Sequence, residues 1–196
     1  NFRRIRQLII FNYLIYLIFG TILGDEMQEI ALRHKPHAVC IVPEKREERT
    51  TEGGLDVVQD DNRLAHFIAP LREAGSRVSI FIAADKRQID AAKRIGAQVI
   101  ELHAGAYCDL HAEGRFKESD AELERLREMS AYAYSLGLEV HVGHGLTYET
   151  VKPVAAFPEV MELNIGHFLI GEAIFLGLQP AISEMRRLMD EARGLL

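Results

Sequence analysis

Cysteine is scarce: the 196 residues hold two, Cys40 and Cys108. Two thiols in a chain of this length do not build a disulfide framework, and they fit a reducing cytoplasm. Cys40 lies in an apolar run and reads as a buried free thiol, while Cys108 falls in an expected loop. Basic charge in excess is also missing. The formal net charge is −6, with acids and bases interspersed. That excludes the basic face that general nucleic-acid binding needs, but not a local cationic pocket for phosphate. No Gly-x-Gly-x-x-Gly fingerprint follows an expected strand, which argues against a dinucleotide-binding domain. His103, Cys108, His111, His144 and His167 are the side chains from which a metal site would be drawn, and their spacing matches no standard zinc pattern. No linker, low-complexity tract or repeat beyond a strand–helix unit interrupts the chain. Its length supports one domain with a substantial core.

One segment departs from this ordinary composition. From Leu8 to Leu23 nearly every residue is apolar, broken by Asn12, Gly20 and Thr21, and Arg3, Arg4 and Arg6 precede the run. The order of basic then apolar residues is that of an export signal, yet no small-x-small cleavage site follows. The run is also short for a membrane-spanning helix. Three readings stay open: a membrane or export segment, a buried helix end and strand, or sequence not native to the domain. Residues 1–24 are therefore set apart as an atypical apolar N-terminal segment, and 25–196 as a partial catalytic domain.

From Asp25 onward, strand and helix patterns alternate. The periodicities predict helix over Asp25–Arg33, strand over Ala38–Val42, helix over Asp60–Ala74 and strand over Arg77–Ile82. Helix Lys86–Ile95, strand Gln98–His103, a loop, and a long helix over Glu118–Leu136 follow. Strand Glu139–Val142, a helix within Tyr148–Phe157, strand Val160–Ile165 and two closing helices, Phe168–Leu176 and Pro180–Arg193, complete the chain. A further strand is placed inside Asn12–Ile18. Strict alternation implies a parallel sheet flanked by helices, either doubly wound or a (β/α)8 barrel.

The chemistry-bearing residues cluster where expected strands end. His144 lies between Gly143 and Gly145, whose lack of a side chain lets backbone approach a ligand. Its imidazole can move a proton near neutral pH. Gly166-His167 follows the last strand and opens a helix, whose first N–H groups can hold an anion such as phosphate. An extra short helix after such a turn fits the phosphate site common in barrels. Val99, Glu101 and His103 share one strand face, because side chains alternate with period two. Two titratable groups facing one way from a buried strand are costly unless paired or used. Thr50 and Thr51, with Gly53 and Gly54, make a loop suited to closing over a substrate. A tight turn, a helix cap, an interior ion pair and a solvated loop are the respective plain alternatives.

Taken together these segments resemble the pyridoxine 5′-phosphate synthase family of (β/α)8 barrels. The matching stretches are Lys35-Pro36-His37, Val42-Pro43-Glu44-Lys45-Arg46, Thr50-Thr51-Glu52-Gly53-Gly54-Leu55-Asp56 and Glu101-Leu102-His103 with Gly105 and Tyr107. Gly143-His144-Gly145-Leu146-Thr147-Tyr148 and Glu162-Leu163-Asn164-Ile165-Gly166-His167 complete the set. The resemblance implies joining of 1-deoxy-D-xylulose 5-phosphate to 3-amino-2-oxopropyl phosphate, with loss of phosphate and water. It assigns His144 as proton donor and Glu101 as transition-state stabiliser. Thr50 would contact the deoxyxylulose phosphate; Gly145, Gly166 and His167 would hold the amino-ketone phosphate or the product. It implies no metal or redox cofactor, no membrane, a cytoplasmic setting and a homo-oligomer, commonly an octamer. It covers roughly the last six of eight βα units, with Phe2–Leu8 read as the helix before a third strand near Gly20. The family's Asn-x-Asp-His and His-x-Arg segments, and the Glu of its third strand, have no counterpart here. The alternative expectation is an inactive relative that binds phosphorylated metabolites or assembles with an intact homologue; a metal-dependent barrel hydrolase is a third.

Overall fold

The computed structural model describes residues 24–43 and 53–195 in full, and the backbone alone of residues 7–9 and 18–21. The chain divides into two compact units: Asn12–His103 with Tyr132–Glu139, and Asn1–Phe11 with Ala104–Ala131 and Val140–Leu196.

The first unit holds β2 (Ile18–Thr21), α1 (Asp25–His34), β3 (Ala38–Ile41), α2 (Asp61–Glu73), β4 (Arg77–Ile82), α3 (Lys86–Ile95) and β5 (Val99–His103). β2, β3, β4 and β5 pair in that order, all parallel. The registers Val39↔Val78, Ile41↔Ile80, Ile80↔Ile100 and Ile82↔Leu102 give one face of buried aliphatic side chains. The registers Cys40↔Ser79, Ser79↔Val99 and Phe81↔Glu101 give the other face its polar groups. α2 buries Leu64, Phe67, Ile68 and Leu71, the helical spacing its sequence shows. Each such side chain contributes roughly 1.5–3 kcal/mol of burial. α3 is capped at its start by Asp85, whose side chain accepts hydrogen bonds from the Arg87 and Gln88 N–H groups, and at its end by left-handed Gly96.

The second unit holds β1 (Gln7–Ile9), α4 (Gly105–Ala112), most of α5 (Phe116–Ser135) and of β6 (Glu139–Gly143), α6 (Val151–Ala155), β7 (Val160–Asn164), α7 (His167–Leu176) and α8 (Leu178–Ala192). β7 pairs in parallel with β6 on one side and β1 on the other. Arg193, at the end of α8, is buried and donates to the carbonyls of Ala155, Phe157 and Val160. It pins the turn that leads into β7.

Two expectations change. The stretch after β5, read as loop, forms α4; its residues show no apolar stripe, so periodicity is silent there. It is held by Tyr107 and Cys108, both buried, and by Ser119, whose hydroxyl donates to the Tyr107 carbonyl. Gln7 and Leu8, placed within a helix over Phe2–Leu8, belong to strand β1, which pairs with β7. The third strand expected near Gly20 is present at Ile18–Thr21, with Gly20 opposite Cys40; of the strand expected inside Asn12–Ile18, all but Ile18 lies outside the described residues. Among the described residues no helix is long and apolar enough to cross a membrane.

Candidate functional site

All the described site residues sit at or near the C-terminal ends of parallel strands, where open backbone and loops meet. In the first unit these are the ends of β4 and β5. Glu101 is buried on β5, and Oε2 accepts a hydrogen bond from Cys40 Sγ at 3.6 Å. His103, two residues on, meets Phe81 edge to face with centroids 5.2 Å apart. The expected shared face of Val99, Glu101 and His103 is thus borne by the registers. Gly53, at φ 98, lies against His103: a Cβ there would stand 3.2 Å from His103 Cε1. Gly54 is more constrained, since a Cβ would fall 2.3 Å from the Ala83 nitrogen and 2.5 Å from the Ile82 carbonyl carbon. Only glycine lets this loop reach the strand end, and Leu55 N–H then bonds the Phe81 carbonyl at 2.9 Å. Gln88 holds the next turn, accepting from Val57 N–H at 2.8 Å and donating to Asp56 at 2.9 Å. Thr50 and Thr51 lie outside the described residues.

In the second unit the site residues lie beyond β6 and β7. His144 follows β6 in a left-handed conformation, φ 70, with Gly145 at φ 95 beside it. A non-glycine residue there carries strain that surrounding structure must hold, a recurrent feature of functional sites. His144 is exposed, and its N–H reaches the Asn164 carbonyl at 3.4 Å. A Cβ on Gly145 would come 3.1 Å from Cys108 Cβ, so the turn sits tightly on α4. Thr150 secures the same turn: its hydroxyl accepts from Thr147 N–H at 2.9 Å and from Cys108 Sγ at 3.7 Å. Its carbonyl accepts from the Tyr107 hydroxyl at 3.2 Å. Burial pushes the Cys108 thiol up to about 11 and the Tyr107 hydroxyl up to about 12, so both stay protonated and serve as donors.

Gly166 is the N-cap of α7; no side chain caps that end, and a Cβ on it would meet nothing within 4 Å. The first N–H groups of α7 thus have no side-chain cap, and His167 is exposed at the first helical position. Tyr148 ties the two turns together, stacking edge to face on Phe168 at 4.7 Å and donating to the Ala181 carbonyl at 3.0 Å.

The structure adds a pair not singled out from sequence. His141 and Glu162, opposite each other on β6 and β7, are both buried, with Nδ1 3.1 Å from Oε1. Their signal was present: each is a titratable residue flanked on both sides by apolar residues of its strand. Among the described residues no three potential metal ligands converge.

The fold has known relatives. The chain superposes on a chain of the Amycolatopsis orientalis BexX/CysO complex with TM-score 0.56 at 16% identity, covering 85% of this chain and 62% of that one. It superposes on a HpcH/Hpal aldolase/citrate lyase family protein from Burkholderia cenocepacia with TM-score 0.53 at 15% identity, covering 91% and 77%. With strictly alternating parallel strands and strand-end site residues, the class is the α/β TIM-barrel group of proteins.

Within that class, residues 4–191 match the family described as pyridoxal phosphate biosynthesis protein PdxJ, and the chain belongs to it. The pyridoxine 5'-phosphate synthase of Ruegeria pomeroyi is 83% identical over 178 residues, covering 91% of this chain and 72% of that protein. The protein of the same name from Jannaschia sp. is 67% identical over 177 residues, covering 90% and 71%.

Proposed function

We propose that the chain works as a pyridoxine 5′-phosphate synthase. It would condense 3-amino-2-oxopropyl phosphate with 1-deoxy-D-xylulose 5-phosphate, releasing phosphate and water, by acid/base catalysis. The observation that carries this is the strained, exposed His144 in its Gly-His-Gly turn. His144 donates a proton to a leaving oxygen; a positioned imidazole of this kind is worth about 10²–10⁴ in rate. Glu101 is the buried negative charge that stabilises positive charge developing on the amino-ketone nitrogen. Gly145 and the open α7 start at Gly166 and His167 receive a phosphate ester. Thr50 contacts the deoxyxylulose phosphate from the loop that Gly53 and Gly54 anchor.

The setting we infer is cytoplasmic, with small phosphorylated substrates as the ligands. The assembly is a homo-oligomer, an octamer as the family resemblance suggests. Support for a second copy comes from α7, which leaves Ile174 77% and Phe175 85% exposed beside Ile170, Leu176 and Leu178. An apolar patch of that kind marks an interaction surface.

The test is turnover by the purified chain given both phosphorylated substrates, with product and released phosphate followed together. Formation of both supports the proposal. Retained binding of the amino-ketone phosphate without turnover would replace it with a binding role.

A further inference from the structure

Thr150 stands at the N-cap of α6, where a threonine hydroxyl ordinarily accepts from an N–H in the first turn of its own helix. Here it makes no such bond. The side chain reaches back toward the Gly-His-Gly turn instead. Oγ1 accepts from the Thr147 N–H at 2.9 Å and from Cys108 Sγ at 3.7 Å. The thiol keeps its hydrogen, since burial pushes it up to about 11. A hydroxyl has two lone pairs and one hydrogen. These two donors fill the lone pairs, so the hydrogen goes to Thr147 Oγ1, 3.2 Å away. The Thr150 carbonyl takes the Tyr107 hydroxyl at 3.2 Å. Thr150 is 2% exposed, and Cys108 and Tyr107 are buried.

One residue therefore fastens two pieces. Thr147 lies in the segment leaving the turn, while Cys108 and Tyr107 belong to α4, on which the turn rests. At the entry, the Gly143 carbonyl accepts from the N–H of Ala104, the N-cap of α4, at 2.8 Å. The turn is thus tied to α4 before His144 directly and after it through Thr150. Between these ties His144 holds φ 70, a conformation that persists only where its surroundings fix it. A hydroxyl that forgoes capping its own helix serves the turn rather than the helix. We propose that Thr150 is a positioning residue for His144, locking the exit of the left-handed turn onto α4 and so fixing where the imidazole stands. The proposal rests on the acid/base role given above to His144.

The experiment pairs steady-state kinetics of the full chain with NMR of histidine labelled at Cε1. His144→Ala identifies the His144 signal by its loss. Thr150→Val keeps the side chain's shape and removes its hydroxyl. In that variant the His144 signal is expected to move, and kcat to fall about tenfold with KM within about twofold, the scale of one hydrogen bond. Thr150→Ser, which keeps the hydroxyl, is expected to return both toward the parent. Cys108→Ala keeps the Cβ against which Gly145 packs and deletes only the thiol's bond. Its kcat is expected to fall about threefold, which tests the clamp even where Thr150→Val does not fold. With turnover lost in His144→Ala, an unmoved His144 signal in Thr150→Val, or a parental kcat in either Thr150→Val or Cys108→Ala, overturns the proposal. Parental turnover in His144→Ala overturns the acid/base reading itself, and the positioning role of Thr150 with it.

Discussion

Replacing His144 by alanine and by glycine separates what its backbone does from what its imidazole does. Both variants lose the imidazole. They differ at φ 70, where alanine keeps a Cβ that crowds the following carbonyl and glycine has none. The left-handed conformation costs an L-residue about 1–2 kcal/mol. Glycine gives back about 0.5–1 kcal/mol through its greater freedom in the unfolded chain. His144→Gly should therefore be more stable than His144→Ala by about 0.5–1 kcal/mol, the reverse of their order in a helix. His144 is exposed, and whatever contacts its ring makes are lost equally in both. Urea unfolding of the two variants side by side reads the difference, and turnover should fall by about 10²–10⁴ in each. Alanine proving the more stable would refute the strained turn. Turnover within about twofold of the parent in either variant would refute the acid/base role.

Other perturbations probe the scaffold around the site. Arg193→Ala removes the guanidinium donor from the carbonyls of Ala155, Phe157 and Val160, of which Phe157 keeps the Val160 N–H, and should cost about 2–4 kcal/mol in urea unfolding; a loss under about 1 kcal/mol would contradict the pinning role. Asp85 is drawn up by burial but held, on balance, below its ordinary 3.8 by hydrogen bonds from Arg87 and Gln88. Because its folded value is the lower one, its stabilisation is present above the unfolded value and lost as pH falls through the folded value. Asp85→Ala should cost about 1 kcal/mol near neutral pH, with the gap to the parent closing below 3.8; a gap that persists there would contradict it. Phe175→Glu, on the exposed face of α7, should shift sedimentation toward smaller species, and an unchanged profile would remove α7 from the assembly.

Much of the scaffold could be read from local pattern. The stripe of Leu64, Phe67, Ile68 and Leu71 gave α2 its buried face, and period-two alternation placed Glu101 with His103. The glycines around His144 flagged a turn. That the histidine itself is left-handed follows from packing of the turn on α4, which local sequence does not report. α4 has no apolar stripe and was missed. Contacts between distant residues were also beyond reach: Cys40 with Glu101, His141 with Glu162, and Arg193 with the turn before β7 depend on strand order and register. The need for Gly54 was invisible for the same reason, since its clash is with the backbone of Ile82 and Ala83.

The most direct test of the central claim measures pyridoxine 5′-phosphate and inorganic phosphate together. The purified chain receives 3-amino-2-oxopropyl phosphate and 1-deoxy-D-xylulose 5-phosphate, with His144→Ala as control. Both products rising in equal amounts, and failing to rise in the variant, is the predicted result. No product from the parent chain, or equal product from the variant, would contradict it.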